Sequence, residues 1–141
     1  MHYITEGTEL PLRAGVGDEI IQIACEALRN ALKHTRGGVD VRLSYTPNVF
    51  TLHVDDVGPG ISQPILESGL PGHFGLMGMQ ERASRIAATL TIESKRENGT
   101  RILLTVPGHM AYPDHKASPS IWGRLRARWS NTRVNHKIDQ R

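Results

Sequence analysis

Apolar side chains between residues 17 and 34 fall at Ile20, Ala24, Ala27, Leu28 and Ala31, the i, i+3, i+4 spacing that predicts a helix burying one stripe. Asp18 and Glu19 stand at its start, Lys33 and His34 at its end, as the helix dipole favours, and Gly37 and Gly38 close it. The period then changes to two. Residues 39–46, VDVRLSYT, and 49–56, VFTLHVDD, alternate about Pro47 and Asn48 and predict an antiparallel hairpin. After a glycine- and proline-rich stretch over residues 57–75, helical spacing returns in residues 76–88 at Met79, Ala83, Ile86 and Ala87. Residues 88–95, ATLTIESK, and 100–107, TRILLTVP, joined by a turn from Arg96 to Gly99, predict a second hairpin that stops at Pro107. The opening MHYITEG predicts an edge strand, and residues 108–119 read as a linker.

Two helices and about five strands paired as hairpins predict an α+β fold, a two-layer α/β sandwich with the helices on one face of a mixed, mostly antiparallel sheet. The other face is then partly wet or covered by another domain. Residues 1–107 are expected to form this domain, and residues 108–141 a linker and basic C-terminal tail.

The 141 residues, 38% hydrophobic and 22% charged, have the composition of one ordinary soluble domain. A single cysteine, Cys25, excludes an internal disulfide framework. No apolar run approaches the ~20 residues that span a bilayer, and the start has no secretion-signal layout. The expected location is cytoplasmic. The net charge of +3 is uneven: residues 1–113 carry ten Lys/Arg and twelve Asp/Glu, residues 114–141 seven and two. With Trp122 and Trp129 among Arg124, Arg126 and Arg128, this last segment reads as a solvated terminus, or else as a contact for phosphates or an acidic partner.

Four polar constellations carry candidate chemistry. Glu26, Asn30 and Lys33 or His34 recur at helical spacing and predict a polar stripe roughly opposite the buried one. An acid, an amide and a cation in that arrangement can hold hydrated Mg²⁺, polarise water and neutralise phosphate, or simply form a solvated helix face. Asp55-Asp56-Val57-Gly58-Pro59-Gly60-Ile61 follows a predicted strand, where a carboxylate can accept a hydrogen bond from an amine while glycines let the backbone approach a ligand. Gly72 to Met79 leads into the second helix, whose freed N–H groups favour a phosphate. Thr100 places a hydroxyl at the start of the last strand.

In this order the blocks EALRNALKH (26–34), DVGPG (56–60), GHFGLMGMQER (72–82) and Gly99-Thr100 resemble the N box and the three glycine boxes of the GHKL ATPase superfamily, which joins gyrase, the heat-shock chaperone, histidine kinases and MutL. GLMGMQERA and the short lid before it look most like the catalytic domains of nitrate-sensing and membrane-fluidity-sensing histidine kinases. The resemblance spans about residues 5–107 and implies the Bergerat ATP-binding fold, with ATP and Mg²⁺ as ligands. Asn30 then matches the amide that holds Mg²⁺, and Glu26 the acid that activates water in ATP-hydrolysing relatives. Lys33 and His34 match the pair near phosphates and ribose. Asp56 matches the reader of the adenine amino group, with Gly58, Gly60 and Ile61 shaping the wall beside it. Gly75, Leu76, Gly78 and Met79 match the lid hinge and phosphate-facing helix start, and Thr100 the hydroxyl near adenine.

The resemblance further implies transfer of the ATP γ-phosphate to a histidine on a separate dimerisation domain, in a homodimeric parent, for relay to a response regulator. None of the seven histidines stands in such a helix, so the acceptor is expected outside this sequence, in a parent that is either soluble or anchored in the inner membrane. Nucleic acid is not an expected partner, and the partner of the basic tail is open. The alternatives are a serine kinase of the anti-sigma type and a degenerate nucleotide-binding module whose tail binds polyanions.

Overall fold

In the computed structural model, residues 1–34, 37–57, 74–95, 99–113 and 121–138 are described. In chain order they form β1 (His2–Glu6), α1 (Ala14–His34), β2 (Val39–Tyr45), β3 (Val49–Asp56), α2 (Phe74–Arg85), β4 (Thr89–Lys95), β5 (Gly99–Pro107), α3 (Gly108–Ala111) and α4 (Ile121–Ile138). The strands make one sheet in the order β1-β2-β3-β5-β4. β1 runs parallel to β2, and every other pairing is antiparallel. This is the expected α+β architecture, with both hairpins and the edge strand in place.

Strand alternation separates two faces. Val41 and Leu43 of β2, Phe50, Leu52 and Val54 of β3, and Ile102, Leu104 and Val106 of β5 are buried and meet Ile20, Ile23, Ala27 and Leu28 of α1 in one core. The opposite face is polar and wet: Arg101 pairs with Asp55 at 3.1 Å, Arg42 with Glu6 at 3.4 Å, and His2 with Asp40 at 3.7 Å.

α1 begins at Ala14, three residues before the expected start, so its first turn holds no acid. Gly15 and Gly17 break the apolar periodicity there, while the Arg13 N–H ties the helix entrance to the Ala111 carbonyl at 2.8 Å. Asp18 and Glu19 therefore serve tertiary contacts rather than the dipole. Asp18 pairs with Arg124 of α4, and Glu19 holds Arg82 at 3.1 Å and Arg85 at 3.7 Å, pinning α2 to α1. α2 ends at Arg85 rather than at residue 88. Ala87 turns into the left-handed region with φ 52°, and the Ala88 N–H closes on the Ala83 carbonyl at 2.9 Å.

The largest departure from expectation is beyond Pro107. Residues 108–111 form a helical turn rather than the start of a linker, with the Gly108 N–H donating to the Asn48 carbonyl at 2.8 Å. A Cβ at Gly108 would lie 2.2 Å from the Pro47 carbonyl oxygen, so only glycine fits this approach. The expected solvated tail is instead helix α4, whose Ile121, Leu125 and Trp129 are buried against the rest of the core. Trp122 donates from Nε1 to Thr5 Oγ1 and sets its ring edge-on to Tyr3 at 5.0 Å. A Cβ at Gly17 would lie 2.7 Å from Arg124 Nη1, the movable end of a flexible side chain. The run of arginines masked an i, i+4, i+8 apolar stripe that fixes the helix. Among the described residues no helix is long and apolar enough to cross a membrane.

Candidate functional site

A cleft opens between the C-terminal half of α1 and the adjoining ends of β3 and β5, lined by Ala27, Asn30, Ala31, Val54, Asp56, Thr100 and Ile102. Each element contributes for a local reason. On α1, Ala27 and Ala31 are too small to fill the space between helix and sheet, and Asn30 lies beside them. Asn30 therefore borders the buried stripe rather than standing opposite it as expected. On β3, alternation sends the two consecutive carboxylates to opposite faces. Asp55 pairs with Arg101 on the wet face, while Asp56 turns to the cleft.

Asp56 Oδ1 accepts the Thr100 backbone N–H at 3.3 Å, joining the ends of β3 and β5. Thr100 is buried, and its Oγ1 lies 3.3 Å from Ser94 Oγ on β4. Gly99, with φ 86°, makes the left-handed turn that launches β5 immediately before Thr100. Ser94 escaped the sequence reading because its place depends on the β4/β5 register, which sets it directly across from Thr100.

Glu26 occupies the turn of α1 preceding Asn30, half-buried, and accepts a hydrogen bond from Arg29. That partner also went unread, although i, i+3 spacing allows it. Lys33 is exposed one turn beyond Asn30. His34 ends α1, and its side chain lies outside what is described, as do residues Gly58, Gly60 and Ile61.

On α2, Leu76 and Met79 are buried in the core, so their side chains anchor the helix rather than face the cleft. Gly75 lies in the first turn. Gly78 has open space about it, since a Cβ there would meet nothing within 4 Å.

Chemically, a carboxylate, an amide and a hydroxyl converge on a slot walled by alanine, valine and isoleucine. Its walls are apolar, and Asp56 supplies an acceptor there for an N–H donor. Among the described residues no three His, Cys, Asp or Glu side chains gather to hold a metal.

Residues 15–110 match the family described as histidine kinase-, DNA gyrase B-, and HSP90-like ATPase. The signal transduction histidine-protein kinase/phosphatase DegS of Brevibacillus brevis is 30% identical over 106 residues, 74% of this chain and 26% of that protein. The sensor protein VraS of Staphylococcus aureus is 32% identical over 108 residues, 76% of this chain and 30% of that protein. The chain thus spans under a third of the length of these relatives. Among solved structures, the catalytic domain of histidine kinase ThkA superposes with a TM-score of 0.62 at 17% identity, covering 76% of this chain and 77% of that one. ShkA in complex with AMPPNP does so at 0.58 and 19%, covering 84% and 27%. These two share the fold. From the matched segment, the architecture and the cleft together, the chain belongs to the histidine kinase-, DNA gyrase B- and HSP90-like ATPase family.

Proposed function

We propose that this chain is the ATP-binding catalytic domain of a two-component sensor histidine kinase, giving the γ-phosphate of Mg²⁺-ATP to a histidine on a separate dimerisation domain. The phosphate then passes to a response regulator, and the parent works as a homodimer. One observation carries the reading: Asn30, Asp56 and Thr100, from three separate motifs, line a single cleft in a chain of this ATPase family. The histidine kinases DegS and VraS among its relatives favour histidine over serine as acceptor. GLMGMQERA and the short segment before it support the nitrate-sensing and membrane-fluidity-sensing type.

Asp56 accepts a hydrogen bond from the adenine amino group, and the apolar walls take the ring faces. Thr100 holds Asp56 in place through its backbone and offers a hydroxyl beside the base. Asn30 on the cleft wall would hold Mg²⁺ through its amide oxygen, which suits an ion that keeps few protein ligands. Bound there, Mg²⁺ supplies charge neutralisation across the phosphates. Lys33 and the N-terminal turn of α2 at Gly75 and Gly78 add to it. Glu26, which accepts a hydrogen bond from Arg29, stands one turn before Asn30 on the same helix.

The transferred phosphoryl leaves ADP and forms a P–N bond to the acceptor. Such transfer asks mainly for positioning and charge stabilisation, so a site without its own nucleophile suffices. In the longer protein that carries this domain, radiolabelled ATP is expected to give an acid-labile, base-stable phosphohistidine. Asn30→Asp should abolish the label. Acid-stable label on serine, or full labelling in the variant, contradicts the proposal.

A further inference from the structure

The hydrogen-bonded chain at the floor of the cleft continues one residue past the family motifs. Asp56 Oδ1 accepts the Thr100 N–H, and Thr100 Oγ1 meets Ser94 Oγ at 3.3 Å, with either hydroxyl able to donate. The register sets Ser94 directly across from Thr100, so both side chains stand on the same face of the sheet. Ser94 is half-buried, and it is absent from the residues lining the cleft, whereas Thr100 is one of them. Its link to the site runs through the Thr100 hydroxyl.

A threonine on a strand has a stiff χ1, which fixes the position of its oxygen but leaves the hydroxyl hydrogen free to rotate. Where that hydrogen points is set by the hydrogen-bonding groups within reach, and the Ser94 hydroxyl at 3.3 Å is one of them.

We propose that Ser94 is a positioning residue for nucleotide-base selection: by engaging the Thr100 hydroxyl it fixes which way that hydroxyl faces the base bound by Asp56. The proposal rests on the ATP-binding reading above. With the Thr100 hydroxyl donating to Ser94, its oxygen is left to accept, so a base with an amino group at the edge facing Asp56 and Thr100 matches this arrangement and one with a carbonyl there opposes it. Adenine is therefore favoured over guanine by the orientation of two groups, Asp56 and the Thr100 hydroxyl, of which Ser94 sets the second.

Calorimetric titration of non-hydrolysable ATP and GTP analogues into the wild-type chain, Ser94→Ala, Ser94→Thr, Thr100→Val and the double variant tests this. Ser94→Ala should weaken the ATP analogue roughly three- to tenfold, the effect of one hydrogen bond, and weaken the GTP analogue less, so that base preference narrows. Ser94→Thr, which keeps the hydroxyl and suits a strand, should restore both values. In the Thr100→Val background, Ser94→Ala should change ATP affinity by less than about twofold, because its route is gone. Equal weakening of both analogues, additive losses in the double variant, or a wild-type preference in Ser94→Ala would overturn the role of Ser94 while the ATP-binding reading stands. Binding of neither analogue by the wild-type chain would overturn both.

Discussion

Asp55 and Asp56 are adjacent in sequence and opposite in role, because a strand sends neighbours to opposite faces. Asp56→Asn should weaken ATP-analogue binding by about 1.5–3 kcal/mol, the loss of a charge-assisted contact. Asp55→Asn loses only an exposed pair with Arg101 and should cost stability no more than about 1 kcal/mol, with binding unchanged. Equal ATP affinities for the two variants in calorimetry would remove Asp56 from the base site. Tyr45 makes a different prediction. Burial pushes its phenol well above the ordinary value, with the Glu9 carboxylate adding to the shift. The folded chain then keeps a proton that the unfolded chain releases, so stability holds below the unfolded pKa of about 10 and falls as pH rises past it. Tyr45→Phe should flatten that alkaline limb in urea titrations between neutral and alkaline pH, and an unchanged limb would contradict this origin. Asn30, Asp56 and Thr100 were legible because each sits within a motif whose spacing is itself informative. Ser94 and Arg29 were not, since a contact fixed by hairpin register or by rotamer leaves no mark on spacing.

The elements were read well where one period dominated. Residues 39–56 and 88–107 alternate cleanly, and both hairpins stand where they were expected. α1 was misplaced at its start because Gly15 and Gly17 interrupt its stripe. α4 was missed because three arginines in five residues outweighed a stripe of only three apolar positions, Ile121, Leu125 and Trp129. Its docking has a measurable worth. Leu125→Ala should lower the urea-unfolding free energy by about 2–3 kcal/mol, as deletion of a buried leucine does. A loss under about 0.5 kcal/mol, the size of a surface change, would mean that α4 does not pack on α1.

At the scale of the whole molecule, one hydrophobic layer joins sheet and helices, and the site forms where that layer is left thin by Ala27 and Ala31. Helix α4 of the basic segment belongs to the folded unit, tied to α1 by Asp18 and Arg124 and to β1 by Thr5 and Trp122. The family match covers residues 15–110, and α4 lies beyond it. This frame is proposed to hold Mg²⁺-ATP. Titrating a non-hydrolysable ATP analogue into the chain, with and without Mg²⁺ and beside a GTP analogue, tests it most directly. The predicted result is Mg²⁺-aided, adenine-preferring binding in the tens of micromolar, about −6 kcal/mol. Binding of neither nucleotide, or equal binding of both without help from Mg²⁺, would contradict it.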